Sequence, residues 1–305
     1  MPKVTVAIPT FRRPRGLARL LDAVEALQTD ADVRVLVADN DAQGHEGIAL
    51  CDRRAATYRW PLQAVVAPQR GIAQVRNVLV ETALGDAGMD FLAMLDDDEW
   101  PEPRWLDAFL AEQAKTGADV LQGSVLFAVE DAWATSFDGI SDIRHASGPV
   151  EMLQGAGNLL MARAALNALA RPWFDPAFAL TGGEDHDFFV RLKQVGLRFA
   201  WSDEAAAHSA VPAQRRSMGW ALSRAYSIGN SDMRVFLKHE RGWAARTRES
   251  ARTVAALFAS PVLFVLHAFS AQRRADALRR LFRALGKTSA LFGLTHNAYS
   301  VSHGD

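Results

Sequence analysis

Four apolar runs in the first third of the chain each stop at a polar or charged residue. Val4 to Ile8 is halted by Pro9 and followed by Thr10. Val33 to Ala38 ends at Asp39-Asn40-Asp41, Leu62 to Ala67 is followed by Arg70, and Met89 to Leu95 runs into Asp96-Asp97-Asp98. Runs this uniformly apolar belong in strands buried on both faces, the condition of a parallel sheet. Helical segments separate them. Behind Pro14, residues Leu17, Leu20, Leu21, Val24 and Leu27 recur at helical spacing over 14–28; a second helix is expected from Ile72 to Leu84 and a third from Pro101 to about Lys115. The alternation predicts an α/β fold with a mostly parallel central sheet flanked by helices. Ligands of such sheets gather at the carboxyl ends of the strands. Thr10, Asp39, Arg70 and Asp96 to Asp98 follow four separate strands and are therefore expected on one edge.

The triplet Asp96-Asp97-Asp98 is the sharpest chemical signal. Three neighbouring carboxylates repel one another, and burial at a strand end makes that cost worse. A magnesium or manganese ion would relieve it, since hard cations prefer oxygen ligands and often complete their shell with phosphate oxygens. The plain alternative is a solvated acidic turn ahead of a helix. No Gly-x-Gly-x-x-Gly follows the first strand and no phosphate-binding Gly-x-x-x-x-Gly-Lys occurs, so dinucleotide and P-loop readings are weak.

Charge is balanced, with 34 basic and 35 acidic residues among 305, so no electrostatic case exists for nucleic acid. Cys51 is the only cysteine, which excludes an intramolecular disulfide. The first apolar run is too short for a signal peptide's apolar region, and a cytoplasmic location is expected.

The middle of the chain is less regular. Asp119 to Leu126, Val150 to Met161 and the short run Leu197 to Trp201 read as strands, and Trp173 to Pro176 as an irregular aromatic loop. Gly182-Gly183-Glu184-Asp185-His186-Asp187 opens a helix; a carboxylate suits that position because free backbone N–H groups and the helix dipole favour it. A helix is expected over 216–238. From Thr253 to Gln272 there is no formal charge, and Arg246, Arg248, Arg252, Arg273, Arg274, Arg279, Arg280 and Arg283 flank the stretch. That pattern suits a segment lying at an anionic membrane surface. A packed helical hairpin or a homodimer contact would show the same hydrophobicity. The expected division is a catalytic domain over 1–240 and a helical extension over 241–305.

Taken together, the elements resemble family 2 nucleotide-sugar glycosyltransferases of the GT-A fold, over roughly residues 3–210. The resemblance is carried by Val4 to Pro14, Val35 to Asp41, Arg70-Gly-Ile-Ala-Gln-Val-Arg76-Asn77, Ala93 to Asp98, and Gly183 to Phe188 continuing to Arg191. It implies an inverting, metal-dependent transfer of a sugar from a nucleoside diphosphate, with UDP favoured, using Mn2+ or Mg2+. It implies a donor seat of Thr10, Arg12, Asp39, Arg70, Asn77, Asp96 and Asp97. Asp98 is the expected metal ligand with Asp96 next, Asp96 alternatively reaching the ribose or a metal-bound water, and His208 is a further candidate ligand. Asp185 is the expected general base, with Glu184 orienting the acceptor. Trp173 and Trp100 are either sugar-stacking rings or ordinary packing. The expected acceptor is a saccharide, such as one on a polyprenyl diphosphate, at the inner face of a bacterial plasma membrane. Two alternatives stand beside this reading. A sugar-phosphate nucleotidyltransferase would release pyrophosphate, and a non-catalytic membrane-associated scaffold would not turn over donor.

Overall fold

The computed structural model describes residues 1–128, 142–211 and 215–296. Strand β1 (Lys3–Thr10), helix α1 (Pro14–Glu25), β2 (Asp32–Asp39), α2 (Glu46–Ala55), β3 (Leu62–Val66), α3 (Ile72–Leu84) and β4 (Phe91–Met94) form the first half. Pro14 sits in the first turn of α1, where its missing N–H costs nothing. The strands β3-β2-β1-β4 run parallel, and the register sets Thr10 beside Asp39 at the carboxyl edge. Alternate residues of each strand feed opposite faces. Ala7, Leu36 and Met94 join Leu79, Phe174, Phe188 and Phe189 in one core. Val6, Ile8, Val35 and Leu95 join Leu20, Leu21, Trp105 and Phe109 in the other.

Beyond β4 the sheet turns mixed. Strand β5 (Glu99–Pro101) follows the acidic triplet, α4 (Trp105–Thr116) follows it, and then come β6 (Val120–Ala128), β7 (Gly148–Val150), β8 (Leu159–Ala162) and α5 (Arg163–Asn167). A 3-10 turn over Pro176–Phe178, helix α6 (Glu184–Gln194) and β9 (Phe199–Ala210) complete this part. Strand β8 lies antiparallel between β4 and β6, while β6 and β9 are parallel.

Three sequence expectations change. Val150 to Met161 is two short strands around a loop, with Leu153 and Ala156 buried in the loop itself. The third helix starts at Trp105, because Glu99–Pro101 pairs with β9 instead. The run at Leu197 continues as β9 to Ala210, so His208 stands inside a strand and not after one.

Helices α7 (Met218–His239), α8 (Trp243–Leu266) and α9 (Ala271–Leu291) end the described chain. α7 and α9 meet at backbone contact: a Cβ on Gly229 would lie 2.0 Å from the Arg283 carbonyl, and one on Gly286 2.0 Å from the Tyr226 carbonyl. α8 buries only Thr253 and Ser260.

Candidate active site

The parallel register brings the strand-end residues together as expected. Asp39 accepts from the backbone N–H groups of Asp41, Gly47 and Ile48, which fixes its carboxylate at the start of α2. Gly47 is required there, since a Cβ would lie 2.8 Å from the Asp39 carboxylate. Thr10 donates to Asp97 at 2.9 Å, and Arg13 reaches both Asp97 at 3.0 Å and Asp98 at 2.9 Å. Burial pushes Asp97 up to about 7, with Arg13 opposing. Arg215 approaches Asp98 from the far end of the domain at 3.5 Å. Arg12, in the left-handed region at φ 54, pairs with Asp41 at 2.8 Å, and its hydrogen bond holds Asp41 below the usual carboxylate range. The Phe11 ring carries the guanidinium groups of Arg12 and Arg70 at 5.1 and 5.0 Å from its centroid. Asn40 places Arg70 by holding the loop before it, donating to the carbonyls of Ala67 and Gln69 and accepting from Gly71 N–H.

Arg76 joins this edge to α6. Its guanidinium is buried and donates to Asp96 at 2.9 Å and to Glu184 at 2.6 Å. Glu184 is pushed up to about 7 by burial first and by Asp185 second, against the pull of Arg76. Asp185 beside it is half-buried, and among the described residues its carboxylate accepts one hydrogen bond, from His186 N–H at 2.7 Å. Gly155 opposes it: a Cβ there would be 3.8 Å from Asp185 Oδ2 and 4.0 Å from Gln122 Nε2.

The other candidates are engaged by neighbouring protein groups. Trp173 is 4% exposed in the core and its indole N–H donates to the Leu166 carbonyl, so neither ring face is open to a sugar. Trp100 stacks on His208 at 5.5 Å and carries Arg19 at 3.9 Å from its centroid. His208 Nε2 contacts Glu102 Oε1 at 2.5 Å. Asn77 is occupied by the Phe174 backbone, donating to its carbonyl and accepting from its N–H. Arg13, Asp41, Gln122 and Arg215 are further candidate site residues that sequence reasoning passed over. Arg13 and Asp41 adjoin residues already singled out, whereas Arg215 carries no local signal.

Among the described residues no group of three or more His, Cys, Asp or Glu side chains could hold a metal ion. His208 is drawn off by Glu102 and Trp100. The half-buried carboxylates of Asp98 and Asp96 still fit a magnesium or manganese ion that takes its remaining ligands from substrate phosphate.

A family model described as glycosyl transferase family 2 matches residues 5–156. The succinoglycan biosynthesis protein ExoM of Rhizobium meliloti (strain 1021) is 30% identical over 301 residues, covering 95% of this chain and 93% of that protein. Among solved structures, the mannosyltransferase PcManGT from Pyrobaculum calidifontis, in complex with GDP-Man and Mn2+, superposes with TM-score 0.63 at 19% identity, covering 96% of this chain and 88% of that one. S. aureus TarS 1-349 in complex with UDP gives TM-score 0.53 at 16% identity, covering 99% and 95%.

Proposed function

The chain belongs to glycosyl transferase family 2 and moves a sugar from a nucleoside-diphosphate sugar to a saccharide acceptor; on that premise we propose that the donor is UDP-linked, that transfer inverts the anomeric centre, and that Asp185 is the general base. One observation carries this reading. The donor-edge acids Asp39, Asp97 and Asp98 are held by three backbone N–H groups or by arginines, whereas the half-buried Asp185 carboxylate accepts, among the described residues, a single hydrogen bond, from the backbone N–H of His186. A base must reach an acceptor hydroxyl on the face opposite the leaving nucleotide, and Asp185 is the acid left able to do so.

In this reading Asp39, at the sheet edge, accepts from the base, while Thr10, Arg12 and Arg70 line the donor seat. Asp98 and Asp96 hold a Mn2+ or Mg2+ ion, whose chemistry is to neutralise charge on the departing diphosphate. Arg13 and Arg215 lie beside Asp98 and supply positive charge at the same point. Glu184, tied to Arg76, fixes the start of α6 against the donor edge. The acceptor is proposed to be a saccharide on a polyprenyl diphosphate; the name of the Rhizobium relative, a succinoglycan biosynthesis protein, supports a role in polysaccharide biosynthesis.

We also propose placement at the cytoplasmic face of a plasma membrane, and α8 supports the membrane contact. It is the one described helix long and apolar enough to cross a membrane, with mean hydropathy 1.4 over its most apolar 18-residue stretch. Val254, Phe258, Val262, Val265 and Leu266 are exposed along it at helical spacing, and Phe269 follows fully exposed. Arg246, Arg248 and Arg252 at one end, and Arg273 and Arg274 at the other, match anionic headgroups.

Calorimetric titration with UDP, GDP and dTDP in the presence of manganese tests the donor assignment. UDP is expected to bind most tightly; UDP binding weaker than both others overturns it. Proton NMR of the product is expected to show inversion, and retention rejects Asp185 as a base in a single displacement.

A further inference from the structure

The first turn of α6 is gripped from the C-terminal helices at four points. Gly183, at φ 95, packs so closely on α7 that a Cβ would lie 2.8 Å from Ser231 Cβ. Asp187 is fully buried and accepts from His239 Nε2 at 2.7 Å and from Lys238 Nζ, both on α7. Between these points, His186 Nδ1 faces Asp232 Oδ1 of α7 at 3.5 Å. Asp232 in turn accepts from Arg283 of α9 at 2.6 Å. The chain Arg283–Asp232–His186 thus ends one residue from the proposed base, and the backbone N–H of His186 is the donor to Asp185 Oδ1.

We propose that Asp232 is a positioning residue for the acceptor side of the active site: clamped by Arg283, it holds His186 and through it sets where the Asp185 carboxylate points. The inference rests on Asp185 being the base. The groups facing His186 are Asp185 and Asp187 on its own helix, Asp232 on α7, and Arg283 behind Asp232. The Asp232 hydrogen bond raises the His186 pKa, so the imidazolium form is favoured where the contact is made. This assigns the C-terminal helices a part in catalysis. The proposed donor seat is built at the ends of β1, β2, β3 and β4 and shares no residue with the Arg283–Asp232–His186 chain.

The test is steady-state kinetics of the full chain on a UDP-sugar and a saccharide acceptor, with nucleotide binding followed by calorimetry. Asp232→Asn keeps the volume and removes the charge. It is expected to lower kcat about tenfold or more, as small misplacements of a catalytic group do, and to leave the dissociation constant for UDP unchanged. The pH profile of kcat is expected to shift, and Asp232→Glu to recover part of the rate. Arg283→Gln, on the exposed side of α9, is expected to act in the same direction without threatening the fold. Wild-type kcat and pH profile in Asp232→Asn, or in Arg283→Gln if the first variant does not fold, overturn the proposal. With Asp185→Asn inactive, that result leaves the base assignment standing. Full activity of Asp185→Asn removes the base and this inference together.

Discussion

Arg76 is the residue on which the two sides of the site depend. One buried guanidinium answers Asp96 at the donor edge and Glu184 at the start of α6. Removing one partner of a buried ion pair strands the other charges, at a cost of about 3–5 kcal/mol. Arg76→Met is therefore expected to lose stability of that order in urea denaturation, and a loss within error of zero would show the bridge to be dispensable. Glu184 gives a pH signature. Its carboxyl titrates near 4.5 in the unfolded chain and is raised to about 7 when folded. Between those values the folded state binds more protons, so stability falls as pH rises through the window. Glu184→Gln is expected to flatten that fall in melting temperature between about pH 4.5 and pH 7; an unchanged slope would place the titration elsewhere. Thr10, Asp39 and the acidic triplet were legible as strand-end residues, because parallel strands leave their carboxyl ends at one edge. Arg215 was not, since its contact with Asp98 spans 117 positions and no local pattern encodes it.

At the scale of elements, apolar periodicity foretold what buries a stripe and missed what does not. α2 buries only Gly47 and Cys51, so its sequence carries no helical stripe to read. The second half of β9 is rich in alanine, a residue depleted in strands, and its extension to Ala210 follows from pairing with β5 and β6. Trp173 shows the converse. Its aromatic loop was open to two readings, a sugar-stacking ring or ordinary packing, and the ring lies in the core together with residues of α3, α5 and α6. The α7–α9 crossing was invisible in sequence because glycines build it. Gly229→Ala would drive a methyl group against the Arg283 carbonyl, and overpacking of this kind costs about 1–3 kcal/mol. The expected readout is faster hydrogen exchange across α7 and α9 with β1 to β4 unaffected; uniform protection would contradict the tight crossing.

At the scale of the molecule, the sheet holds the proposed donor seat, α6 presents the proposed base, and the C-terminal helices join α6 to a surface that is apolar where it faces outward. Phe258→Ser combined with Leu266→Ser removes two exposed apolar side chains, 75% and 70% accessible, without touching the buried Thr253 and Ser260. This variant is expected to lose co-sedimentation with anionic vesicles while keeping its rate on a soluble acceptor. Equal binding by variant and parent would defeat the membrane seat, and a change of oligomeric state in its place would assign α8 to a second copy of the chain. The separation of donor seat from base is the central claim, and Asp185→Asn tests it most directly. The substitution keeps the side-chain volume and removes the proton acceptor. General-base catalysis contributes about 10²–10⁴-fold, so kcat for sugar transfer is expected to fall by that factor while the calorimetric affinity for the donor nucleotide stays at the parent value. Transfer at near-parent rates, or a loss of donor affinity that accounts for the whole defect, would contradict the account.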